Sequence, residues 1–349
     1  MNFKQIITSI TLVLFFIASY FFGKSMGENY HHRFYQTYDA LVSELFDWTT
    51  ISIGDLLYGM LALVLISILS KMIFKKQYKQ SLIFLFQAIF IFLIVFQWSW
   101  GMNNFKIPLY KKLEIANEYS LEDLNTYAEK DLKELNELHY KITSNTDSVV
   151  SIEKNYDQMY QQANENFRNV WFLKEYATDR LTPAKASLYS FALTKAGFSG
   201  YFNPFTHENQ INDEIPTIGL PVTYVHEMSH QLGFASEAEA NFIAYYTLKQ
   251  SSNEVMQYAA ELYGFKYILR EIRKTNEEKY LFFLSQLNPG ILTNIQDSEE
   301  FWKTNKNFSS NIFKPLYHLF LKANNQKDGI QSYNLMVNLM INYDKKYEN

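Results

Sequence analysis

The sequence predicts a mainly α-helical protein with three N-terminal membrane helices followed by a helix-rich domain. Three observations support this fold class. Long apolar runs occur three times within the first hundred residues, and a loop rich in lysine separates the second run from the third. After about residue 105 the composition changes to alternating apolar and charged residues at helical spacing, which is typical of soluble helices.

The three apolar runs predict transmembrane helices over about residues 6–23, 55–74 and 81–101. Each run is long enough to cross roughly 30 Å of hydrocarbon at 1.5 Å per residue. Trp98 and Trp100 lie near the end of the third run, where aromatic residues gather at a membrane interface. We therefore expect residues 1–104 to form a membrane anchor with the lipid bilayer as a partner.

The flanking charges predict an orientation for these helices. By the positive-inside rule, the short loop between the second and third helices is cytoplasmic. Its lysines, with no acidic residue among them, are Lys71, Lys75, Lys76 and Lys79. The N-terminus is then also cytoplasmic, and residues 105–349 lie on the other side. We expect a multi-pass protein of the cytoplasmic membrane with an extracytoplasmic C-terminal domain.

The composition excludes several classes of function. The chain has no cysteine, which rules out disulfides, thiolate catalysis and cysteine-ligated zinc. The formal net charge of −4 gives no basic footprint, so we expect no nucleic-acid partner. Nothing in the sequence indicates an oligomeric state.

The domain after residue 104 is expected to be helical with one interruption. Residues 120–142 predict a helix capped by Ser120, and residues 151–171 predict another. Thr182-Pro183 and Gly197 fit the two ends of a third helix. Residues 198–220 are rich in aromatic and β-branched residues with Gly and Pro, so they predict a small edge-strand region.

The stretch PVTYVHEMSHQLG carries an HExxH motif on the next predicted helix, which Pro221 begins and Gly233 ends. His226 and His230 are four residues apart, so both imidazoles project from one helix face. This is the arrangement that two nitrogen ligands of one tetrahedral zinc ion require. Glu227 is rotated by about 100° from His226, where it is expected to act as the catalytic general base on water.

A catalytic zinc needs a third protein ligand, for which Glu237 and Glu239 are the candidates. Ser236 is expected to cap a new helix that contains both. Residues that are two positions apart on a helix point in directions about 200° apart around its axis, so the two glutamates cannot both face the metal. Glu237 shares its helix face with Asn241, which can hydrogen-bond to a metal ligand and orient it without binding the metal itself. We favour Glu237 and keep Glu239 as the alternative.

The motif HEMSH…SEAEAN resembles the HExxH…ExxxN/D pattern of glutamate-liganded zincins. The resemblance implies that Glu237 binds the metal. Only six residues separate His230 from Glu237, which is shorter than in most such enzymes. The spacing is closer to the metzincin pattern, whose glycine is matched by Gly233, but Ser236 occupies the metzincin ligand position.

A second resemblance covers nearly the whole chain. It rests on SIGDLLYG, on WSWGMNN followed by IPL, and on GFSGYFNPFT ahead of LPVTYVHEMSHQLGFASEAEANFIAY. These motifs are similar to a bacterial family known as domain of unknown function 3810, whose members look like membrane-anchored zincin-like proteins. The resemblance implies a zincin-like (α+β) domain related to zinc peptidases, and it implies no particular substrate.

These observations predict a membrane-anchored zinc metallopeptidase that acts on a peptide or protein substrate outside the cytoplasmic membrane. The alternative is a non-catalytic sensor or scaffold that carries zinc. An oxyanion donor is also needed. The candidates are Tyr224, Tyr245, Tyr317, His318 and Tyr333. The sequence does not distinguish among them, because the chain has 26 tyrosines.

Three histidines lie outside the motif. His31 and His32 are predicted to be solvated at the membrane surface. His207 precedes the HExxH helix and is predicted to be an exposed loop histidine, with a position lining the cleft as the alternative.

Overall fold

The computed structural model of the chain describes residues 3–176, 178–305, 307–324 and 333–348. The chain divides into two compact units. The first comprises Met1–Lys106 and the short segment Asn203–Glu208, and the second comprises Ile107–Phe202 and Asn209–Asn349. The sequence indicates the change of composition near residue 105, but it does not indicate that six later residues belong to the first unit.

The first unit contains three helices that are long and apolar enough to cross a membrane, with mean hydropathies of 2.1, 2.2 and 2.3. This is compatible with a membrane-anchored protein. The predicted spans 6–23 and 55–74 lie inside two of these helices, and the predicted span 81–101 runs two residues past the end of the third at Ser99. The helices of this unit are α1 (Phe3–Met26), α2 (Glu28–Tyr30), α3 (Gln36–Phe46), α4 (Ile53–Lys75) and α5 (Tyr78–Ser99).

Two histidines of the first unit are buried, which corrects the expectation that they are solvated. His31 is 1% exposed, and its Nδ1 lies 3.3 Å from Asn103 Oδ1. His207 is fully buried, and its Nδ1 lies 2.7 Å from Asp39 Oδ1. Because its partner is 168 residues away in the chain, no local pattern indicates that His207 is buried. His32, by contrast, has a side chain that is 38% exposed.

The second unit is mainly helical. Its helices are α6 (Leu109–Lys112), α7 (Leu121–Thr143), α8 (Tyr156–Asn169), α9 (Ser190–Ala196), α10 (Leu220–Gln231), α11 (Glu237–Lys249), α12 (Glu254–Thr275), α13 (Glu277–Ser285), α14 (Pro289–Asn305), α15 (Phe308–Ala323) and α16 (Tyr333–Tyr347). The predicted cap Ser120 is confirmed: its hydroxyl accepts a bond from the Asp123 N–H, and the Asp123 carboxylate accepts one from the Ser120 N–H. This reciprocal pair is a capping box.

The helix predicted from Thr182 to Gly197 is shorter than expected, because its first half is extended. The Thr182 N–H donates to Gln231 Oε1 at 3.2 Å, and the Ala184 N–H donates to the Tyr224 hydroxyl at 2.8 Å. Side chains of α10 thus satisfy backbone groups that a helix would otherwise use. Helix α9 begins only at Ser190, and Gly197 ends it with a positive φ of 85°, as predicted.

A small sheet forms in the region predicted to contain strands. Its strands are β1 (Lys185–Ala186), β2 (Gly200–Phe202) and β3 (Asn209–Ile211), in the order β1-β3-β2. β1 runs parallel to β3, and β2 runs antiparallel to it. β1 and β2 are therefore the outer strands, and α10 packs against β2 and β3.

Helices α10 and α11 lie in the interior of the second unit. Ten of the twelve residues of α10 and eight of the thirteen residues of α11 are buried. Polar side chains in such an environment lower the stability of the fold unless they are paired or bind a ligand. The polar groups of the HExxH motif therefore need a physical explanation.

Candidate metal centre

Helix α10 begins and ends as its sequence predicts. Pro221 lies in its first turn, where a missing N–H costs no helical hydrogen bond. Gly233 follows the helix with a φ of 80°, a conformation that favours glycine. Ser236 then caps α11. This tight connection places the start of α11 against the second half of α10.

The connection brings Glu237 next to both histidines of the motif. His226 Nε2 and His230 Nε2 are 3.1 Å apart. The Glu237 carboxylate lies 3.4 Å from His226 Nε2 through Oε2 and 3.6 Å from His230 Nε2 through Oε1. Ligands at 2.0–2.1 Å from one tetrahedral zinc ion are separated by about 3.3 Å from each other. The three side chains therefore fit the edge lengths that a zinc site requires.

The tautomer of His230 also suits metal binding. Its Nδ1–H donates to the Phe234 carbonyl at 2.7 Å, which leaves the lone pair of Nε2 directed at His226 and Glu237. The turn at Gly233 creates this contact, because it brings the Phe234 carbonyl back beneath the helix. Metal-binding histidines usually donate their second ring nitrogen to an oxygen in this way. Burial is the main reason that the pKa of His230 falls to about 4, which keeps the ring neutral.

His226 has a different environment. Its Nδ1 is buried and has no hydrogen-bond partner among the described residues. Burial lowers its pKa, but the hydrogen bond with Glu237 and the charges of Glu227 and Glu237 raise the pKa above its ordinary value. The two carboxylates thus attract positive charge to this end of the site, whether that charge is a proton or a metal ion.

Glu237 is held as a carboxylate. Burial raises its pKa, but the two imidazoles and a hydrogen bond from Tyr317 outweigh that effect and bring the pKa to about 2. The Tyr317 hydroxyl, on α15, donates to Glu237 Oε1 at 2.6 Å. A carboxylate that is ionised, held in place by a donor and adjacent to two imidazole nitrogens has the properties of a metal ligand.

Glu239, the alternative third ligand, points elsewhere. Its Oε1 accepts a 2.7 Å bond from the Leu109 N–H, at the start of α6. Among the two candidates, the structure brings only Glu237 into contact with the histidines. That Glu237 ligates a metal stays a prediction.

Glu227 is 4% exposed, and one of its carboxylate oxygens lies within 4.8 Å of a ring nitrogen of His226 and of a ring nitrogen of His230. Burial raises the pKa of its carboxyl to about 8, although His226 and a bond from the Phe202 N–H act in the opposite direction. Its Oε2 has no hydrogen-bond partner within the described part of the chain. An unpaired buried carboxylate oxygen next to a potential metal site is where a general base for a water molecule would be needed.

Strand β2 packs directly on this glutamate. A Cβ at Gly200 would lie 2.9 Å from Glu227 Oε1 and 2.7 Å from the Gln210 carbonyl. Only glycine therefore fits at this position without displacing the carboxylate. Sequence reasoning identified the segment as a strand but missed the contact of Gly200 and Phe202 with Glu227.

Asn241 lies in a polar group next to the histidines. Its Nδ2 donates to the Tyr267 hydroxyl at 3.2 Å, and its Oδ1 accepts from the Tyr263 hydroxyl at 2.7 Å. Asn241 also contributes to the raised pKa of His226. That Asn241 orients a metal ligand, as its spacing from Glu237 suggests, stays a prediction.

The proposed oxyanion donors occupy very different places. Tyr317 contacts Glu237 directly. The Tyr224 hydroxyl accepts a bond from the Ala184 N–H, and the Tyr245 hydroxyl lies 3.1 Å from that of Tyr127. The side chain of Tyr333 lies outside the described residues. No local sequence signal distinguishes Tyr317, because α15 is about 80 residues away from Glu237 in the chain.

The fold and the site together define a mainly helical protein with three apolar N-terminal helices and a buried His-Glu cluster in its second unit. The chain belongs to the family described as protein of unknown function DUF3810, whose profile matches residues 30–341. This confirms the family that the sequence motifs indicate. Comparison with curated proteins and with solved structures finds no match.

Proposed function

We propose that this protein is a membrane-anchored, zincin-like zinc metallopeptidase. The observation that carries the proposal is the convergence of three potential ligands, His226 Nε2, His230 Nε2 and the Glu237 carboxylate, within 3.1–3.6 Å of one another. Glu227 lies beside them with one unpaired oxygen. Two imidazoles and one carboxylate form a ligand set that is typical of catalytic zinc, which keeps an open fourth position.

In this proposal, each side chain has a separate task. Zinc, when bound, would polarise the scissile carbonyl and make water more acidic. Glu227 accepts the proton of the attacking water and passes it to the leaving amine. Tyr317 holds Glu237 and is the strongest candidate for an oxyanion donor.

Strand β2 is the proposed binding edge for the substrate backbone. It is an outer strand of the sheet and packs against α10, whereas β3 is the central strand. An extended peptide can add to an outer strand through main-chain hydrogen bonds. Within the predicted edge-strand region of residues 198–220, this proposal assigns substrate binding to Gly200–Phe202. The bond from the Phe202 N–H to Glu227 supports this proposal, because it brings the strand close to the proposed base.

The first test measures zinc and peptide cleavage with the full-length protein in detergent. We expect about one zinc per chain, lost in His226→Ala and retained in the matched control His32→Ala. Wild type should cleave members of a mixed peptide library, and Glu227→Gln should keep zinc but lose turnover. Cleavage by Glu227→Gln would refute the base assignment. Stoichiometric zinc with no cleavage by wild type would instead favour the zinc-bearing sensor or scaffold.

We further propose that the second unit lies outside the cytoplasmic membrane, which rests on the lysine-rich loop between α4 and α5. The natural absence of cysteine makes a direct test simple. Single cysteines are introduced at exposed Gln77, in that loop, and at Lys133 on α7, whose side chain is 77% exposed. A membrane-impermeant thiol reagent on intact cells should label position 133 and should label position 77 only after permeabilisation. The reverse pattern would contradict the proposed orientation.

A further inference from the structure

A second group of ionisable side chains lies where α7, α11 and α12 meet. Asp131 and Glu134 come from α7, Glu261 comes from α12, and Lys249 is the last residue of α11. The carboxylate oxygens of the three acids include a set that lies within 4.8 Å of one another. The group shares no residue with the His-Glu cluster, and the HExxH motif gives no explanation for it.

Lys249 balances only part of this negative charge. Its Nζ donates to Glu134 Oε2 at 3.0 Å and to Glu261 Oε1 at 2.9 Å. If all three carboxyl groups were ionised, the one ammonium would leave two negative charges in a mostly buried position. Concentrated charge of one sign costs free energy in the interior unless a proton or a cation compensates for it.

Asp131 is the carboxylate that lacks compensation. It is 1% exposed, and neither of its oxygens has a hydrogen-bond partner among the residues that the structure describes. Burial and the adjacent charge of Glu261 raise its pKa well above the ordinary value. A buried carboxyl group within 4.8 Å of two others is stabilised by a bound proton or by a bound cation.

The available oxygens suit a hard cation. Lys249 contacts one oxygen each of Glu134 and Glu261, which leaves Glu134 Oε1, Glu261 Oε2 and both oxygens of Asp131. Glu261 Oε2 accepts a long 3.4 Å bond from the Tyr245 hydroxyl. A cavity of about 330 Å³ is lined by Glu134, Lys249 and Glu261, among others, and gives room for water next to these two glutamates. Calcium takes six to eight oxygen ligands in flexible geometry and often includes water.

We propose that Asp131, Glu134 and Glu261 form a binding site for a hard divalent cation such as Ca²⁺. The cation balances the two remaining charges and satisfies the oxygens of Asp131. All donors are oxygens, so the site discriminates against zinc, which prefers imidazole or thiolate ligands. The proposal does not depend on catalysis at the His-Glu cluster.

The first experiment uses the full-length protein in detergent after treatment with EDTA. Tb³⁺ is titrated in, and its emission is excited through tyrosine. Tyr127 and Tyr245 lie next to the cluster, with their hydroxyls 3.1 Å apart. We expect saturable emission that Ca²⁺ reverses. Asp131→Asn should remove this component, and Glu137→Gln should retain it because Glu137 lines the same cavity but is not part of the cluster.

A second measurement covers the case in which Tb³⁺ also binds exposed acids. Ca²⁺ should raise the unfolding temperature of wild type and of Glu137→Gln. Asp131→Asn should be at least as stable as wild type in EDTA, because it removes an unpaired charge with little change of shape, and Ca²⁺ should not stabilise it. Glu134→Gln should reduce the effect of Ca²⁺ as well. Equal responses of wild type and Asp131→Asn, or no response up to about 1 mM Ca²⁺, would overturn the proposal in favour of a proton held by Asp131.

Discussion

The second unit contains two buried polar clusters that differ in how the chain assembles them. The His-Glu cluster comes from α10, a tight turn and the first residue of α11, so its members span only residues 226–237. The second cluster comprises the acids Asp131, Glu134 and Glu261 together with Lys249, and these residues come from three helices. The first is visible in the sequence as a motif, and the second is visible only in the folded structure.

The chemical contrast between the clusters is equally clear. The first offers two imidazole nitrogens and one carboxylate, a set suited to zinc. The second offers only oxygens, a set suited to calcium or magnesium. Each cluster has a buried carboxyl group with an oxygen that has no hydrogen-bond partner among the described residues. This group is Glu227 in the first cluster and Asp131 in the second. Buried unpaired groups therefore mark both positions, even though their ligands are expected to differ.

The largest expected effect separates Glu237 from Glu239. Glu237→Gln removes a charge that contacts both imidazoles. Mutations of residues that only support the ligands lower metal affinity by about 10–100-fold, so loss of a ligand should lower zinc affinity by more than that. Glu239→Gln is the matched variant in the same helical turn. It weakens the bond from the Leu109 N–H and leaves the histidines untouched, so zinc should remain and stability should fall by about 1 kcal/mol. Zinc content and thermal unfolding of both variants test this directly.

The reverse result would be informative. Zinc lost in Glu239→Gln and retained in Glu237→Gln would mean that α11 is rotated relative to the described arrangement. The ligand set on which the proposed function rests would then be wrong.

The next effect concerns Gly200. In Gly200→Ala, the new Cβ collides with Glu227 Oε1 and with the Gln210 carbonyl. A displaced general base should lower kcat/KM by about 10²-fold or more, while zinc binding is retained. Gly219→Ala is the control, because a Cβ at Gly219 meets nothing within 4 Å. Equal activity of both variants would show that Glu227 does not need its contact with β2.

These two predictions show what the sequence reveals and what it does not. Ser120, Pro221, Gly197 and Gly233 act through bonds within a few residues, so their roles as helix boundaries follow from local rules. The i, i+4 spacing likewise places His226 and His230 together without knowledge of the fold.

Contacts between distant segments could not be predicted in this way. Thr182 is extended because Gln231 accepts its N–H, and His207 is buried because Asp39 is its partner. Gly200 and Tyr317 reach the site across 27 and 80 residues of chain, respectively, to Glu227 and Glu237. Residue type and spacing carry no information about such pairs, because tertiary packing alone brings them together.

A moderate effect is expected for Tyr317. Tyr317→Phe removes the hydroxyl that donates to Glu237 Oε1, so zinc affinity should fall by about 10-fold, the lower end of effects from outside the ligand shell. Tyr140→Phe, on the exposed surface of α7, is the control and should leave affinity unchanged. Competition with a chromogenic chelator measures both. If kcat falls and zinc affinity does not, Tyr317 acts on the reaction rather than on the ligand, as an oxyanion donor would.

The smallest expected effect comes from a buried histidine that neither cluster contains. His139 has only neutral partners: its Nε2–H donates to the Ser148 carbonyl at 2.9 Å, and its Nδ1 accepts from Asn288 Nδ2 at 3.2 Å. Burial lowers the pKa of His139 below 6.5, against the opposing effect of the Ser148 bond. The contrast with His226, whose pKa is raised by two carboxylates, isolates the effect of charged neighbours.

The direction of the pH dependence follows from proton binding. At a pH below about 6.5 the unfolded chain protonates His139 more readily than the folded protein does, so stability falls as the pH falls towards the folded pKa. The loss is at most about 1.4 kcal/mol per pH unit, the limit for one proton. His139→Gln should have a flatter profile than wild type between pH 7.5 and 5 in thermal unfolding, and His32→Gln should match wild type. If the His139→Gln profile is as steep as that of wild type, other groups cause the loss of stability at low pH. His139 could then not serve as the comparison for His226, whose neighbours are charged.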